Sequence, residues 1–370
     1  MTNPDSVLAE RVTSVDFFRG FTMFILIIEN TRLIRQFRSV EESSILQFIA
    51  TQFSHIRWEG LHFWDLIQPA FMFIVGVAIP YAVANRIRKG DSDREIRYHA
   101  FKRAFLLLLF GWGLYTLGSP DKIVFRFQNV LAQLSVTYLV AFLIMKKSFK
   151  FQLIFSLGIL LLIDLAYRFF PVEGFNNPWV NGENLGAWFN ILLEGGERGA
   201  GWASLTFVST TAHTIWGVLC GMLLMSDRTP LKKIQVLIIA GVSGIIIGYA
   251  LHWLNITPII KKIATSSFVF ASGGFVILAL ALSYWLMDVK KLLTRFSKVF
   301  IIVGMNCIFI YLFDALGGAA IISKIFAPFT NLLFSWAGEF TVGIVQGLAI
   351  YASLWYVCYW LYKNRLFIKI

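Results

Sequence analysis

Charge is what this 370-residue sequence has least of: Asp, Glu, Lys and Arg make up 15% of it, against roughly a quarter in a soluble domain. With 57% hydrophobic residues and a mean hydropathy of +0.69, that shortage excludes an ordinary water-soluble globule. Cysteine is scarce too. Cys220, Cys307 and Cys358 lie singly inside apolar runs, so neither a disulfide framework nor a structural zinc site is spelled out. No Pro- or Ser-rich linker and no shift in composition divides the chain, and no internal repeat pairs its halves as in many transporters. It therefore reads as a single domain over 1–370. The opening MTNPDSVLAERVTSVDFFRG lacks the basic start, unbroken apolar core and small-residue cleavage site of a removable signal peptide. The first apolar run is expected to stay.

What is abundant is long apolar sequence. Runs able to cross a hydrocarbon core about 30 Å thick recur near 17–34, 63–85, 104–117, 129–145, 151–170, 203–225, 234–254, 264–287, 299–316 and 341–362. The fold class expected is all-α, a polytopic integral membrane helical bundle of about ten transmembrane helices. Basic residues gather in alternate loops: Arg86 to Arg103, Lys146 to Lys150, Arg228 to Lys233, Lys290 to Lys298, and Lys363 to Lys369 at the end. Positively charged loops stay on the cytoplasmic side, so both termini are expected there, while 35–59 and 171–202 face outward. Arg32, Arg35, Arg38, Arg57, Lys261 and Lys262 run against that pattern. The net charge of +12 is thus mainly a topology signal, and nucleic acid is not expected as a partner. The 171–202 stretch combines Gly and Asn with Trp179, Trp188 and Trp202, which suits sugar rings and equally suits an interfacial loop.

Several ionisable residues sit where lipid should exclude them. Asp16 and Arg19 are three apart on the first helix, where they can pair and offset each other's desolvation. Glu29 and Asn30 follow some three turns later. In FSHIRWEGLHFWDLIQPAFMFIVG (residues 53–76), His55, Glu59, His62 and Asp65 recur at helical spacing, so a helix through them would carry all four on one stripe. Pro69 would then remove a mid-span hydrogen bond and invite a kink. Metal is not expected, because nothing adds the further ligands that His55, Glu59 and His62 would need. An active site and a transporter pathway lined by His55, Asp65, Asp16 and Arg19 both remain open on these residues alone.

The run from His55 to Gly76 closely resembles the heparan-α-glucosaminide N-acetyltransferase family of transmembrane acyltransferases, in a bacterial-type short form. It matches each fixed position of H-x-x-W-x-G-L-x-x-x-D-L-x-x-P-x-F-x-F-I-x-G. RVTSVDFFRG (11–20), FVST (207–210), TSSFVFASGG (265–274), GMNCIFIY (304–311) and YKNRLFIKI (362–370) resemble further family signatures. Asn30 stands where the wider O-acyltransferase superfamily has His, as in the glucosaminide branch. RFQNVLAQL (126–134) departs: Asn129 replaces a Gly, and Ala132 and Gln133 replace a Gln-Arg pair, which weakens any transfer of ligand contacts to that helix.

The resemblance implies an enzyme, an acetyl-CoA-dependent transmembrane acyltransferase that moves acetyl from cytoplasmic acetyl-CoA to an amine or hydroxyl of a glucosamine-like sugar outside. His55 takes the catalytic position, as general base or transient acetyl carrier, since imidazoles as a class titrate near working pH. Asn30 is expected to donate a hydrogen bond to the thioester oxygen or to orient the imidazole. Asp65 or Glu59 would hold the other ring nitrogen. Arg126, Ser209 and Asn306 are assigned to the cofactor, and the basic loop 86–103 offers cations for CoA phosphates. The partners expected are acetyl-CoA, an amino-sugar or glycan acceptor, the lipid bilayer, and a second copy in a homodimer. The location expected is a bacterial inner membrane.

Overall fold

A computed structural model describes residues 12–40, 43–119, 123–194, 201–292 and 294–368, and of Asn30, Glu194, Thr294 and Arg295 only their place in a helix. Arg11 of the opening motif, Lys369 and the 195–200 part of the long loop lie outside the described residues. Among the described residues the regular structure is helical, with one isolated bridge between Glu59 and Ile260. The chain groups into two compact units. One unit holds the described residues up to His55, His62–Ile67 and those from Ser283 onward; the other holds Ile56–Leu61 and those within Gln68–Leu282.

In the first unit, α1 (Thr13–Asn30) is followed by the short α2 (Leu33–Phe37) and α3 (Ser44–Gln52). A second unit then supplies α4 (Ile67–Arg88), α5 (Asp93–Leu117), α6 (Val130–Ile144), α7 (Phe149–Arg168), α8 (Leu185–Glu194), α9 (Thr206–Met225), α10 (Pro230–Trp253) and α11 (Ser266–Tyr284). The chain returns to the first unit through a π-turn, Trp285–Val289, and ends with α12 (Thr294–Met305), α13 (Cys307–Ala315), α14 (Gly318–Phe334) and α15 (Gly338–Lys363). Among the described residues, seven helical stretches are long and apolar enough to cross a membrane, or eight if α12 and α13 form one bent span. Ten crossings were expected. α1 carries Asp16, Arg19 and Glu29, and α6 is short. Helix α14, interrupted by Lys324 and Pro328, is absent from the expected spans.

Helix starts follow ordinary capping chemistry. Ser92 and Glu95 form a capping box at α5, with Glu95 accepting from the Ser92 backbone at 2.7 Å. Asn129 and Ser148 accept from backbone N–H groups at the starts of α6 and α7. In the first unit, α1 packs on α12 around Phe300, whose ring meets Phe17, Phe21 and Phe24 edge-on. The Asp288 carboxylate accepts from the backbone N–H groups of Thr13 and Ser14 at 3.2 and 3.1 Å, closing the orphan donors at the start of α1. The expected pair forms as well: Arg19 Nη2 donates to Asp16 Oδ1 at 2.7 Å.

The second unit is built around α4 and α9, which are largely buried, with α7 and α10 at its periphery exposing apolar faces. Lipid suits those faces. α4 and α9 touch backbone to backbone: a Cβ at Gly76 would lie 2.0 Å from the Thr214 carbonyl oxygen, and one at Gly217 would lie 2.1 Å from that of Phe73. Small residues thus set the crossing, as in membrane helix pairs generally. Replacing Gly76 with Val should destabilise the protein by about 1–3 kcal/mol through overpacking. Gly158→Ala, where nothing lies within 4 Å, should be neutral or slightly stabilising. Thermal unfolding in detergent distinguishes them; equal midpoints would contradict this account of the crossing.

Candidate active site

The stretch 53–62 is not helical. Helix α3 ends at Gln52, the chain runs irregularly to His62, and a 3₁₀ turn over Phe63–Leu66 leads into α4. The expected helical stripe through His55, Glu59, His62 and Asp65 therefore does not exist. Gly60 breaks it, with φ at +120°, a conformation side-chain-bearing residues avoid; its N–H donates to the Ile259 carbonyl at 2.8 Å. Pro69 also differs from expectation. It sits in the first turn of α4, where a missing N–H costs nothing, and the proline inside the helix is Pro80.

In place of a stripe, the irregular segment folds onto one carboxylate. Asp65, fully buried, accepts from His55 Nδ1 through Oδ1 at 2.8 Å and from the His62 backbone N–H through Oδ2 at 3.0 Å. The second contact is half of a capping box at the 3₁₀ turn. A carboxylate only accepts, so this geometry puts a proton on Nδ1 of His55 and the lone pair on Nε2. His55 itself is part-exposed, at 39% for the side chain. His62 points elsewhere: its Nδ1 donates to the Ser54 carbonyl at 2.9 Å. Gln52 accepts from the Phe63 N–H at 3.1 Å, tying the end of α3 to the new turn.

Of the two carboxylates left open by the sequence, Asp65 holds His55. Glu59 belongs to the second unit and faces His252 Nδ1 at 3.5 Å. Asn30 is the last residue of α1. Asn306 lies where α12 and α13 bend by 67°. It is completely buried; its Oδ1 accepts from the Ile368 N–H at 3.1 Å, while Nδ2 has no partner among the described residues. A break in a membrane helix frees polar groups that need a ligand or neighbour. In the second unit, the Arg126 guanidinium stands 5.5 Å over the Tyr115 ring. Ser209 is buried beside a cavity of about 10 Å³ that also borders Tyr167, and neither hydroxyl has a partner among the described residues. That is space for a single water.

Sequence reasoning missed a buried amide network. Gln68 Nε2 donates to Gln133 Oε1 at 2.6 Å, and Gln133 Nε2 donates to Thr206 at 3.0 Å, joining α4, α6 and α9 without charge. Gln133 is one of the positions that depart from the family pattern. Another, Asn129, caps α6 and also donates to the Gly111 carbonyl at 2.6 Å. These two of the three departures thus have a local structural use. Trp58, a fixed motif position, donates its indole N–H to the Trp179 carbonyl at 2.7 Å. Among the described residues, no group of three or more His, Cys, Asp or Glu is arranged to hold a metal.

The chain is similar to heparan-alpha-glucosaminide N-acetyltransferase. Against the Homo sapiens protein it is 31% identical over 141 residues, which is 36% of this chain and 19% of that protein. Against the Mus musculus protein it is 30% identical over 138 residues, with the same shares. The match spans about a fifth of the length of these curated relatives. No family model matches the chain.

Asp65→Ala should remove the acceptor shared by the His55 Nδ1–H and the His62 N–H, and should cost about 1–3 kcal/mol in all. Asp65→Asn keeps one acceptor oxygen and should cost less. Equal thermal midpoints for the two variants would show that Asp65 does not organise this turn.

Proposed function

We propose that the chain is a transmembrane acyltransferase that moves an acetyl group from acetyl-CoA to an amine or hydroxyl of an amino sugar, with His55 as the base. The observation that carries this reading is the His55–Asp65 pair, at 2.8 Å, on a motif that resembles the N-acetyltransferase family. Nε2 of His55 takes a proton from the attacking amine as its nitrogen bonds to the thioester carbonyl carbon. The tetrahedral intermediate then collapses, the C–S bond breaks, and the same proton passes to the departing CoA thiolate. Asp65 stabilises the imidazolium formed between these steps, a positioning role of the kind that aspartate plays in hydrolytic triads.

Asn30 is proposed to donate to the thioester oxygen, and the unpartnered Nδ2 of Asn306 suits an acyl or amide carbonyl of the donor. Arg126 and Ser209 are carried to the cofactor by the resemblance alone, and the basic loop 86–103 is proposed for the CoA phosphates. Acetyl-CoA would reach the protein from the cytoplasm, with both termini on that side of a bacterial inner membrane and the acceptor outside. Heparan-like glucosamine and a cell-envelope sugar are both within this reading, as are N- and O-transfer and a homodimeric state.

The test offers labelled acetyl-CoA with a panel of amino sugars and glycan fragments to purified protein. Label should appear in at least one acceptor. His55→Ala should lower transfer by about 10²–10⁴ with acetyl-CoA binding kept, Asn30→Ala should lower it by about 10²–10³, and His62→Ala by much less. A silent His62→Ala variant beside an active His55→Ala would show that the base is misassigned. Orientation is tested separately by cysteine accessibility in intact cells: Ser92→Cys should be shielded from external reagent and Asn184→Cys should be reached. Labelling of Ser92→Cys from outside would reverse the proposed route of acetyl-CoA.

A further inference from the structure

The second unit carries a groove of about 760 Å³ bordered by α7, α9, α10 and α11. Its volume lies in the range of small-molecule sites. Its wall is almost wholly apolar, with Leu153, Trp216, Leu237 and Ile247 along its length, and the exposed Leu157, Met222 and Val236 at its lip lie on membrane-type helices. One end differs. There Ser226 and Arg228 line it. Arg228 is exposed and makes no ion pair among the described residues. The neighbouring chain adds exposed Lys147, Lys150 and Lys232 against one acidic residue, Asp227.

We propose that this groove holds an acyl chain of an anionic phospholipid, with the lipid phosphate at Arg228. An acyl chain needs no hydrogen-bond partner, which fits walls that offer almost none. The pantetheine arm of a coenzyme carries amides, and burying these unpaired along the same walls is costly. The basic end supplies the complementary charge, and a guanidinium binds phosphate in a bidentate manner. These loops are also the ones the Lys/Arg bias assigns to the cytoplasmic leaflet, whose anionic lipids attract such clusters. The site is independent of the acetyl-transfer reading and requires only that the helices lie in a bilayer.

The test uses the full chain in phosphatidylcholine nanodiscs containing a small fraction of phosphatidylglycerol that bears a photoactivatable group near its acyl terminus. Mass spectrometry should map adducts to the groove, on residues such as Trp216, Cys220 and Ile247. Photoactivatable phosphatidylcholine at the same fraction should label it more weakly. Ser243→Trp and, from the facing helix, Leu153→Trp each fill the groove and should lower groove labelling several-fold while leaving adducts elsewhere unchanged. Arg228→Gln should remove most of the preference for the anionic lipid, roughly tenfold for one lost charge-assisted contact. Three results would overturn the proposal: unchanged groove labelling in both filling variants, equal labelling by the two lipids in the unmodified chain, or suppression of labelling by saturating CoA. The last would make the groove a coenzyme channel.

Discussion

A carboxylate with no exposed surface has to be surrounded by donors, and Asp65 meets that demand by drawing in the irregular chain before it. An unpaired charge in a low-dielectric interior costs several kcal/mol, so one Asp65 oxygen takes the His62 N–H and the other takes His55 Nδ1. The first bond starts the 3₁₀ turn that becomes α4. The second fixes the imidazole of His55 in one tautomer. Helix initiation and the protonation pattern of the proposed base therefore depend on the same side chain. Within the second unit, Gly60 takes a positive φ and its N–H donates to the Ile259 carbonyl; that conformation explains why a glycine stands at that motif position.

Charge serves half-buried polarity in both units, with Arg19 on Asp16 and Asp288 closing the start of α1 in the first, and Arg168 on Asp164 in the second. In the second, the buried middle of α9 carries Thr210, Thr211 and His213, and these neutral groups bond to backbone or to a neighbouring hydroxyl: Thr210 and Thr211 donate to carbonyls one turn earlier, and His213 Nε2 contacts the Val269 carbonyl and Ser272 at 3.1 Å. Neutral networks avoid the desolvation cost of buried ions. Gln133, where the family pattern has a charged residue, belongs to that style. Close backbone approach at Gly76 and Gly217 lets these two buried helices meet without a side chain between them.

The helices were legible because hydropathy alone determines which stretches a bilayer tolerates, and the motif drew attention to His55 without any structure. The placement of the polar residues was not legible. Helical spacing of His55, Glu59, His62 and Asp65 was real in sequence, but period arguments presuppose a helix, and a single left-handed glycine within the run removes it. The choice of Asp65 over Glu59 depended on the path of the loop, as did the pairing of Glu59 with His252 across nearly two hundred residues of chain. Pro69 looked like a kink because the helix start was placed too early. Helix α14 escaped notice because Lys324 and Pro328 interrupt its apolar run. Asn129 and Gln133 looked like losses against the family pattern and prove to be a helix cap and a network hub.

The proposed base can act only in one tautomer of His55, the one with Nε2 unprotonated. Selective ¹⁵N labelling of the five histidines, with His55 assigned by comparison with His55→Gln, reports which ring nitrogen carries the proton in the neutral state. His55 should show a protonated Nδ1 and an unprotonated Nε2, with that preference weakened in Asp65→Asn. A neutral His55 protonated mainly at Nε2, unchanged by the Asp65 substitution, would contradict the assignment of His55 as the base.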